Sequence, residues 1–242
     1  MPLFRAQIQG GNGTGGEVSP LANPIMSTTG LKVYWRADEC QTNGSGIVTQ
    51  LTDISGQGFH ASGTGGPAKI SDALNGVPVL RFTGNQFLSH SYLGEIATVI
   101  ALVRPEGVGA YRALLSARGA TRDAYWFGTT SPGGNAIFQR NDASGNDAYI
   151  RYLQEPFKWN VWTGRVQASS LDFFFNSYKG GSLALSSRLP ITGDAYLGAA
   201  SNGSLLSDFW MGDLAELAIF DQPLASAEIG KIVSYLKGFY VL

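Results

Sequence analysis

From residue 31 onward, apolar and polar positions alternate in short runs. In "LKVYWRA", Leu31, Val33 and Trp35 oppose Lys32, Tyr34 and Arg36, the period of two that a strand with one buried face requires. Comparable runs ("VPVLRFTG", "ATVIALVRP", "YRALLSAR", "AYWFGTT", "NAIFQRN", "AYIRYLQ", "WNVWTGRVQ", "LDFFFNSYKG", "DAYLGAA" and "GDLAELAIF") follow along the chain. They are spaced by about ten residues, and nearly every gap holds Gly, Asn, Asp or Pro, which predicts an all-β sandwich or barrel. "TVIALV" and "DFFFN" are apolar on both faces, so those strands lie deep. No repeat at solenoid or propeller period occurs.

One segment breaks the rhythm. In "PLASAEIGKIVSYLKGFY", Ile229, Ile232, Val233 and Leu236 fall at i, i+3, i+4 and i+7. This predicts a short amphipathic helix packed against the sandwich, with Gly238 where a C-terminal cap is expected. Residues 1–30 read differently again: "QGGNGTGGEVSPLANPIMSTTG" has few large apolar groups and cannot bury enough surface to fold alone. It is expected to be an extended Gly-rich arm laid on a neighbouring subunit, or a disordered leader.

Composition narrows the function classes. The 242 residues are 44 % hydrophobic and only 14 % charged, with a net charge of −1, so a nucleic-acid partner is not expected. No apolar run is long enough to cross a bilayer, and the N-terminal stretch lacks the apolar core of a secretory signal. The single cysteine, Cys40, excludes an intrachain disulfide and a cysteine-cluster zinc site.

Three segments carry a family likeness: "LKVYWRADE", then "VTQLTDISGQGFHASGTGGPAKISDALNGVPVLRFTGNQFLS", then "GDLAELAIFDQPLASAEIGKIVSYLKGFY". Together they resemble the LamG-like jelly-roll domains of the concanavalin A-like lectin/glucanase superfamily. The resemblance implies a two-sheet antiparallel jelly-roll sandwich over residues 31–242, closed by a short C-terminal helix. It says little about function, because one fold hosts many sites. There are departures. Thr52 precedes the Asp turn, with Leu51 behind it, where an aromatic is usual. Ala215 stands where the closing strand often has Asp. "LASAE" (224–228) lacks the first Ser of a capping box, so Ser226 is expected to cap one residue later.

The turn "TDISGQGFHAS" (52–62) holds an Asp, two Ser, two Gly and one of only two histidines. Three readings compete. Asp53 and His60 would be a catalytic pair, but no nucleophile elbow and no strand with alternating acids accompanies them; Glu95, Glu106, Glu155 and Glu216 are scattered, which points away from an enzyme. Asp53 with Asp213 or Asp38 and the carbonyls near Gly56 and Gln57 would form a calcium site. The structural reading has Asp53 and Ser55 bonding their own backbone while Gly56 and Gly58 supply positive φ. Glu216, in an apolar strand, is expected to accept N–H groups of this same turn.

Sugar sites combine aromatic faces with polar side chains. Tyr125, Trp126, Arg140, Tyr149 and Tyr152 are the candidates for carbohydrate binding; Trp159, Trp162 and Trp210 are weaker ones, since a strand aromatic usually belongs to the core. The polar loop with Asp142, Asn146 and Asp147 reads as a contact loop, a weak cation loop or a solvated hairpin. Two functions follow as expectations. The first is a non-enzymatic phage-type virion protein (a capsid decoration, fibre or tail component) made in the host cytoplasm, assembling with itself or other virion proteins and touching a cell-surface glycan. The alternative is an extracellular or cell-surface bacterial carbohydrate-binding or adhesion module.

Overall fold

The structure, a computed structural model, describes residues 23–242 apart from 107–109, 121–122, 132–134, 142–146, 153–155, 186–187 and 203–204, and for 147–149, 152 and 202 the backbone alone. The greater part of the expected arm, Asp142, Asn146 and Glu155 therefore lie outside the described residues.

A short helix α1 (Pro24–Ser27) is followed by β1 (Leu31–Thr42), β2 (Val48–Asp53), β3 (Ala61–Ser62), β4 (Ala68–Leu74), β5 (Val77–Thr83) and β6 (Leu88–His90). Next come β7 (Thr98–Pro105), β8 (Arg112–Arg118), β9 (Asp123–Thr130), β10 (Asn135–Asn141), β11 (Asp147–Tyr152), β12 (Asn160–Val166), β13 (Ser170–Phe175) and β14 (Tyr178–Ala184). The chain ends with β15 (Ala195–Leu197), β16 (Ala200–Asn202), β17 (Leu205–Ser207), β18 (Met211–Phe220) and α2 (Ser226–Phe239).

The fold is all-β, as the alternation predicted, and its strand pairing is antiparallel. The ladder is continuous, however. Its order is β11-β10-β9-β8-β15-β6-β3-β2-β1-β18-β7-β12-β13-β14, with β5 bridging β18 and β4, and a separate β16-β17 hairpin. This large sheet folds over so that its two halves face each other. The ring centroids of Phe127 on β9 and Trp162 on β12 lie 6.0 Å apart, and a Cβ built on Gly164 of β12 would meet the Phe138 ring of β10 at 2.8 Å. Between the halves sits the main core, with Val33, Trp35, Leu115, Phe127, Phe138, Trp162, Phe173, Trp210 and Leu217 all buried. Its density explains why strand aromatics here are mostly packing.

The outer face of β1, β18, β7, β12 and β13 carries a second core under α2. Ile229, Ile232, Val233 and Leu236, the predicted helical face, pack with Tyr34, Ile100, Leu102, Phe174 and Phe220. Ile25 of α1 is buried in the same cluster, so packed structure is already present ahead of the expected boundary at residue 31. The cap details differ from expectation. Ala225 is the N-cap, and Glu228 supplies half of a capping box by accepting the Ala225 N–H at 2.8 Å. The Ser226 hydroxyl lies instead 3.4 Å from the Arg165 guanidinium. The helix runs through Gly238 to a C-cap at Tyr240, because Tyr240 is itself anchored in the second core.

Candidate functional site

The turn after β2 is a closed hydrogen-bonding unit. Asp53 Oδ1 accepts the N–H groups of Tyr34 and Ser55, both at 2.9 Å, and Oδ2 accepts the Ser55 hydroxyl at 2.8 Å and the Phe59 N–H at 2.9 Å. His60 Nδ1 accepts the Asp53 N–H at 3.0 Å. Gly56 and Gly58 sit at φ of 87° and 82°, where a side chain would strain. Asp53 has no lone pair directed at a cation. Asp213 is equally occupied: Arg81 grips both oxygens at 2.8 and 2.9 Å, and Arg104 adds a contact at 2.7 Å. The expected calcium pair is therefore a pair of saturated carboxylates, and no cluster of three or more metal-ligating side chains occurs among the described residues.

Glu216 does tie distant parts of the chain together, but through other partners than expected. A register shift in the β18–β7 ladder between Leu214 and Glu216 leaves Ala215 as the extra residue and turns Glu216 toward the second core. There its carboxylate accepts the Tyr34 hydroxyl at 2.5 Å and the Tyr240 hydroxyl at 2.7 Å, with Arg36 Nε at 3.6 Å. Of the turn's N–H groups, those of Ser55 and Phe59 go to Asp53, that of Gln57 to the Ser55 hydroxyl and that of Ile54 to the Tyr34 carbonyl. Burial pushes the Glu216 carboxyl up, against the two tyrosines and Arg36, which pull it down. The two tyrosine hydroxyls are raised by burial and then by the Glu216 charge.

The five carbohydrate candidates do not share a face. Tyr125 and Arg140 are 1 % and 0 % exposed and point between the layers with Phe127 and Phe138. Arg140 donates to the Ala124 carbonyl at 2.6 Å and to both Glu95 oxygens at 3.1 and 3.0 Å. Burial lowers its pKa, with Glu95 opposing; burial raises the Tyr125 hydroxyl well above its ordinary range. Neither reaches a ligand at the surface, a correction that follows from strand alternation placing them inward. Trp162 and Trp210 are core residues as well. β11 sets Tyr149 opposite Gln139 and Tyr152 opposite Ala136 in the ladder.

Trp126 faces the other way and helps to form a cleft of about 220 Å³ on the outer face of β8, β9 and β10, lined also by Asp123, Gln139, Asn141, Ala200, Ser201, Ser207 and Asp208. Ser116, Trp126 and Gln139 form one cross-strand row. Strict alternation would place Asp123 inward with Tyr125. The ladder prevents this: Ala117 pairs with Tyr125 but Arg118 with Asp123, so Ala124 is a bulge residue and Asp123 is re-aimed to the side of Trp126. The far wall is built by the stretches 199–201 and 205–209. It crosses β8, held by the Ser116 hydroxyl on the Ala199 carbonyl at 2.9 Å and the Ala113 N–H on the Asp208 carbonyl at 2.7 Å.

Within the cleft, Gln139 Nε2 donates to Asn141 Oδ1 at 2.7 Å, and Asn141 Nδ2 to the Asp123 carbonyl at 2.6 Å. Asp208 accepts the Ser207 hydroxyl at 2.8 Å. Ten buried side-chain polar atoms among the described residues have no hydrogen-bond partner, and two of them belong to residues lining this cleft: the Trp126 indole N–H and Asp123 Oδ1. Burial raises the Asp123 carboxyl to about 7, with Asp208 adding to the rise while the Ser201 N–H and Arg118 oppose it. Tyr111, about half exposed, meets the Trp126 ring edge-on at 6.4 Å. A donor, an acceptor, amides, hydroxyls and aromatic surface thus converge on one concavity. A larger depression of about 680 Å³ beside α2, lined by Pro24, Ser177, Ala227, Gly230, Lys231, Ser234 and Tyr235, has no such orphaned group among its lining residues.

A family model of the concanavalin A-like lectin/glucanases superfamily matches residues 77–230, well over half of the chain. The chain belongs to that superfamily. No curated protein is significantly similar in sequence. Among solved structures, domain 4 of the Geobacillus stearothermophilus extracellular arabinanase AbnA, in complex with arabinotriose, is 14 % identical with a TM-score of 0.63; the match covers 84 % of this chain and 98 % of that one. The binding domain of Paraclostridial Mosquitocidal Protein 1 is 13 % identical with a TM-score of 0.63, covering 87 % of this chain and 53 % of that one. The ligand-binding domain of botulinum neurotoxin serotype D, in complex with N-acetylneuraminic acid, is 11 % identical with a TM-score of 0.63, covering 88 % and 52 %. The chain spans about half the length of these toxin domains. At such identities the likeness establishes a lectin-like fold.

Proposed function

We propose that this superfamily domain is a non-enzymatic carbohydrate-binding module that uses the cleft around Trp126. The observation that carries the reading is the pair of buried, unpartnered polar atoms, Trp126 Nε1 and Asp123 Oδ1. Buried polar groups in folded proteins are otherwise hydrogen-bonded, and a sugar hydroxyl both donates and accepts. Gln139, Asn141, Ser201 and Asp208 add polar contacts around the same concavity, the mixture expected of a small-ligand site. The arabinotriose and N-acetylneuraminic acid complexes of two structural neighbours agree with a glycan ligand on this jelly-roll architecture.

The setting we propose is a virion surface, with the module acting as an attachment or decoration component that meets host glycans and assembles with itself or other virion proteins. The Gly-rich segment before Asn23 suits an arm that orders on a neighbour. A bacterial adhesion module is the alternative. A glycan array on the full chain tests the binding reading: reproducible hits support it, and no hits refute it. Release of reducing sugar from any hit would refute the non-enzymatic part. Light scattering separates the settings, since a closed oligomer supports assembly and a monomer favours the free module.

A further inference from the structure

We propose that the cleft selects glycans bearing a free amino group and rejects acidic ones. This rests on the reading of the cleft as a carbohydrate site and deepens it to a ligand class. Among the described residues, the charged side chains lining the cleft are Asp123 and Asp208, with no Lys, Arg or His beside them. Arg118 donates to the Ser201 carbonyl at 3.3 Å and its hydroxyl at 3.0 Å and is not among the lining residues. From β10 the facing groups are the neutral Gln139 and Asn141, and from β16 the Ser201 N–H. A uronate, sialate or sulfate would meet two carboxylates in a partly dehydrated space, where like charges repel strongly. A neutral sugar would leave Asp123 with the choice of staying protonated or ionising without a counter-charge.

An ammonium resolves that choice. It brings three donors, and one of them reaches an acceptor, Asp123 Oδ1, that the protein itself leaves unpartnered. Charge-assisted bonds of this kind are about twice as strong as neutral ones. The volume, about 220 Å³, is that of roughly seven waters at about 30 Å³ each, enough for a single ring stacked near Trp126. As the ammonium enters, Asp123 gives its proton to solvent, because the raised carboxyl is brought down by the new positive neighbour. Binding is therefore coupled to proton release.

Isothermal titration of the full chain at pH 6.5 with a β-1,4-glucosamine trimer, its N-acetylated counterpart, a trigalacturonate and spermidine tests the assignment. The expected result is at least tenfold tighter binding of the glucosamine trimer than of the N-acetylated trimer, and none of the trigalacturonate. Spermidine, an amine without a ring, is expected to bind no better than the N-acetylated trimer. Titration in two buffers of different ionisation enthalpy should reveal protons released with the glucosamine trimer alone, and Asp123→Asn should bring the ratio of the two trimers to about one. Equal or tighter binding of the N-acetylated trimer, binding of the uronate, or spermidine matching the glucosamine trimer would overturn the amino-sugar assignment while leaving a carbohydrate site standing. If no array glycan and none of these sugars binds, both readings fall.

Discussion

Asp123→Asn has an effect on stability that can be read without any ligand. The Asp123 carboxyl is raised from 3.8 to about 7, chiefly by burial. Below the unfolded value of 3.8 the group is protonated in both the folded and the unfolded chain, and its full contribution to stability is present. As pH rises, the unfolded chain ionises first while the folded one holds its proton, so stability falls until the folded carboxyl also ionises near pH 7. A rise of about 3 units corresponds to about 4 kcal/mol at 1.36 kcal/mol per unit. The cleft is open to solvent on one side, so about half of that is the safer expectation. Asparagine keeps an oxygen for the Ser201 N–H and has no charge to bury. Asp123→Asn should therefore match the wild type near pH 4 and exceed it by about 2 kcal/mol or more at pH 8, a gain of at least about 4 °C in melting temperature for a domain of this size. Thermal unfolding followed by circular dichroism at pH 4, 5, 6, 7 and 8 measures it. A difference that does not grow with pH, or a less stable variant at pH 8, would refute the burial argument.

Other consequences are as direct. Tyr240→Phe removes one of two hydroxyls from the buried Glu216 carboxylate and should cost about 1.5–3 kcal/mol in denaturant unfolding; a neutral effect would mean the carboxylate has found another donor. Asp53→Asn presents an N–H₂ where the carboxylate accepts four bonds, and should lower stability by about 2 kcal/mol or more. Because Asp53 and Asp213 are saturated by protein donors, millimolar calcium should leave the melting temperature unchanged relative to magnesium, and a calcium-specific rise would contradict that geometry. Gly198 sits at φ +93° with a Cβ position 2.4 Å from the Phe82 ring, so Gly198→Ala should cost several kcal/mol and disturb the segment that walls the cleft.

The elements whose signal is local could be read from sequence. The i, i+3, i+4, i+7 spacing of Ile229, Ile232, Val233 and Leu236 reports a face that is found buried, and alternation in "LKVYWRA" placed Val33 and Trp35 in the main core; it missed that Tyr34 on the opposite face is buried under α2 and that Leu31 packs there too after a register shift. The Asp53 turn was legible for the same reason, since its bonds to Ser55 and Phe59 span two and six residues. What failed to show needed either a bulge or a distant partner. Asp123 and Trp126 are three apart and belong on opposite faces by strict alternation; the extra residue at Ala124 brings them together. Only the DA pair just before "YWFG" hints at it. Arg140 read as a carbohydrate-binding candidate because its partner Glu95 lies 45 residues earlier. Glu216 found hydroxyls from Tyr34 and Tyr240, 182 and 24 residues away. The cleft's far wall, built from Ala200, Ser201, Ser207 and Asp208, has too little hydrophobic pattern to place in advance.

The measurement that tests the central claim most directly is a glycan array run in parallel on the wild type and Trp126→Ala, each first shown to be folded by circular dichroism. Trp126 lies on the outer face, away from the main core, so its truncation should leave the fold intact. The account predicts defined glycan hits for the wild type that weaken at least tenfold in the variant. Hits of undiminished strength in Trp126→Ala would place the site elsewhere, and a wild type that binds no glycan would contradict the carbohydrate-binding reading itself.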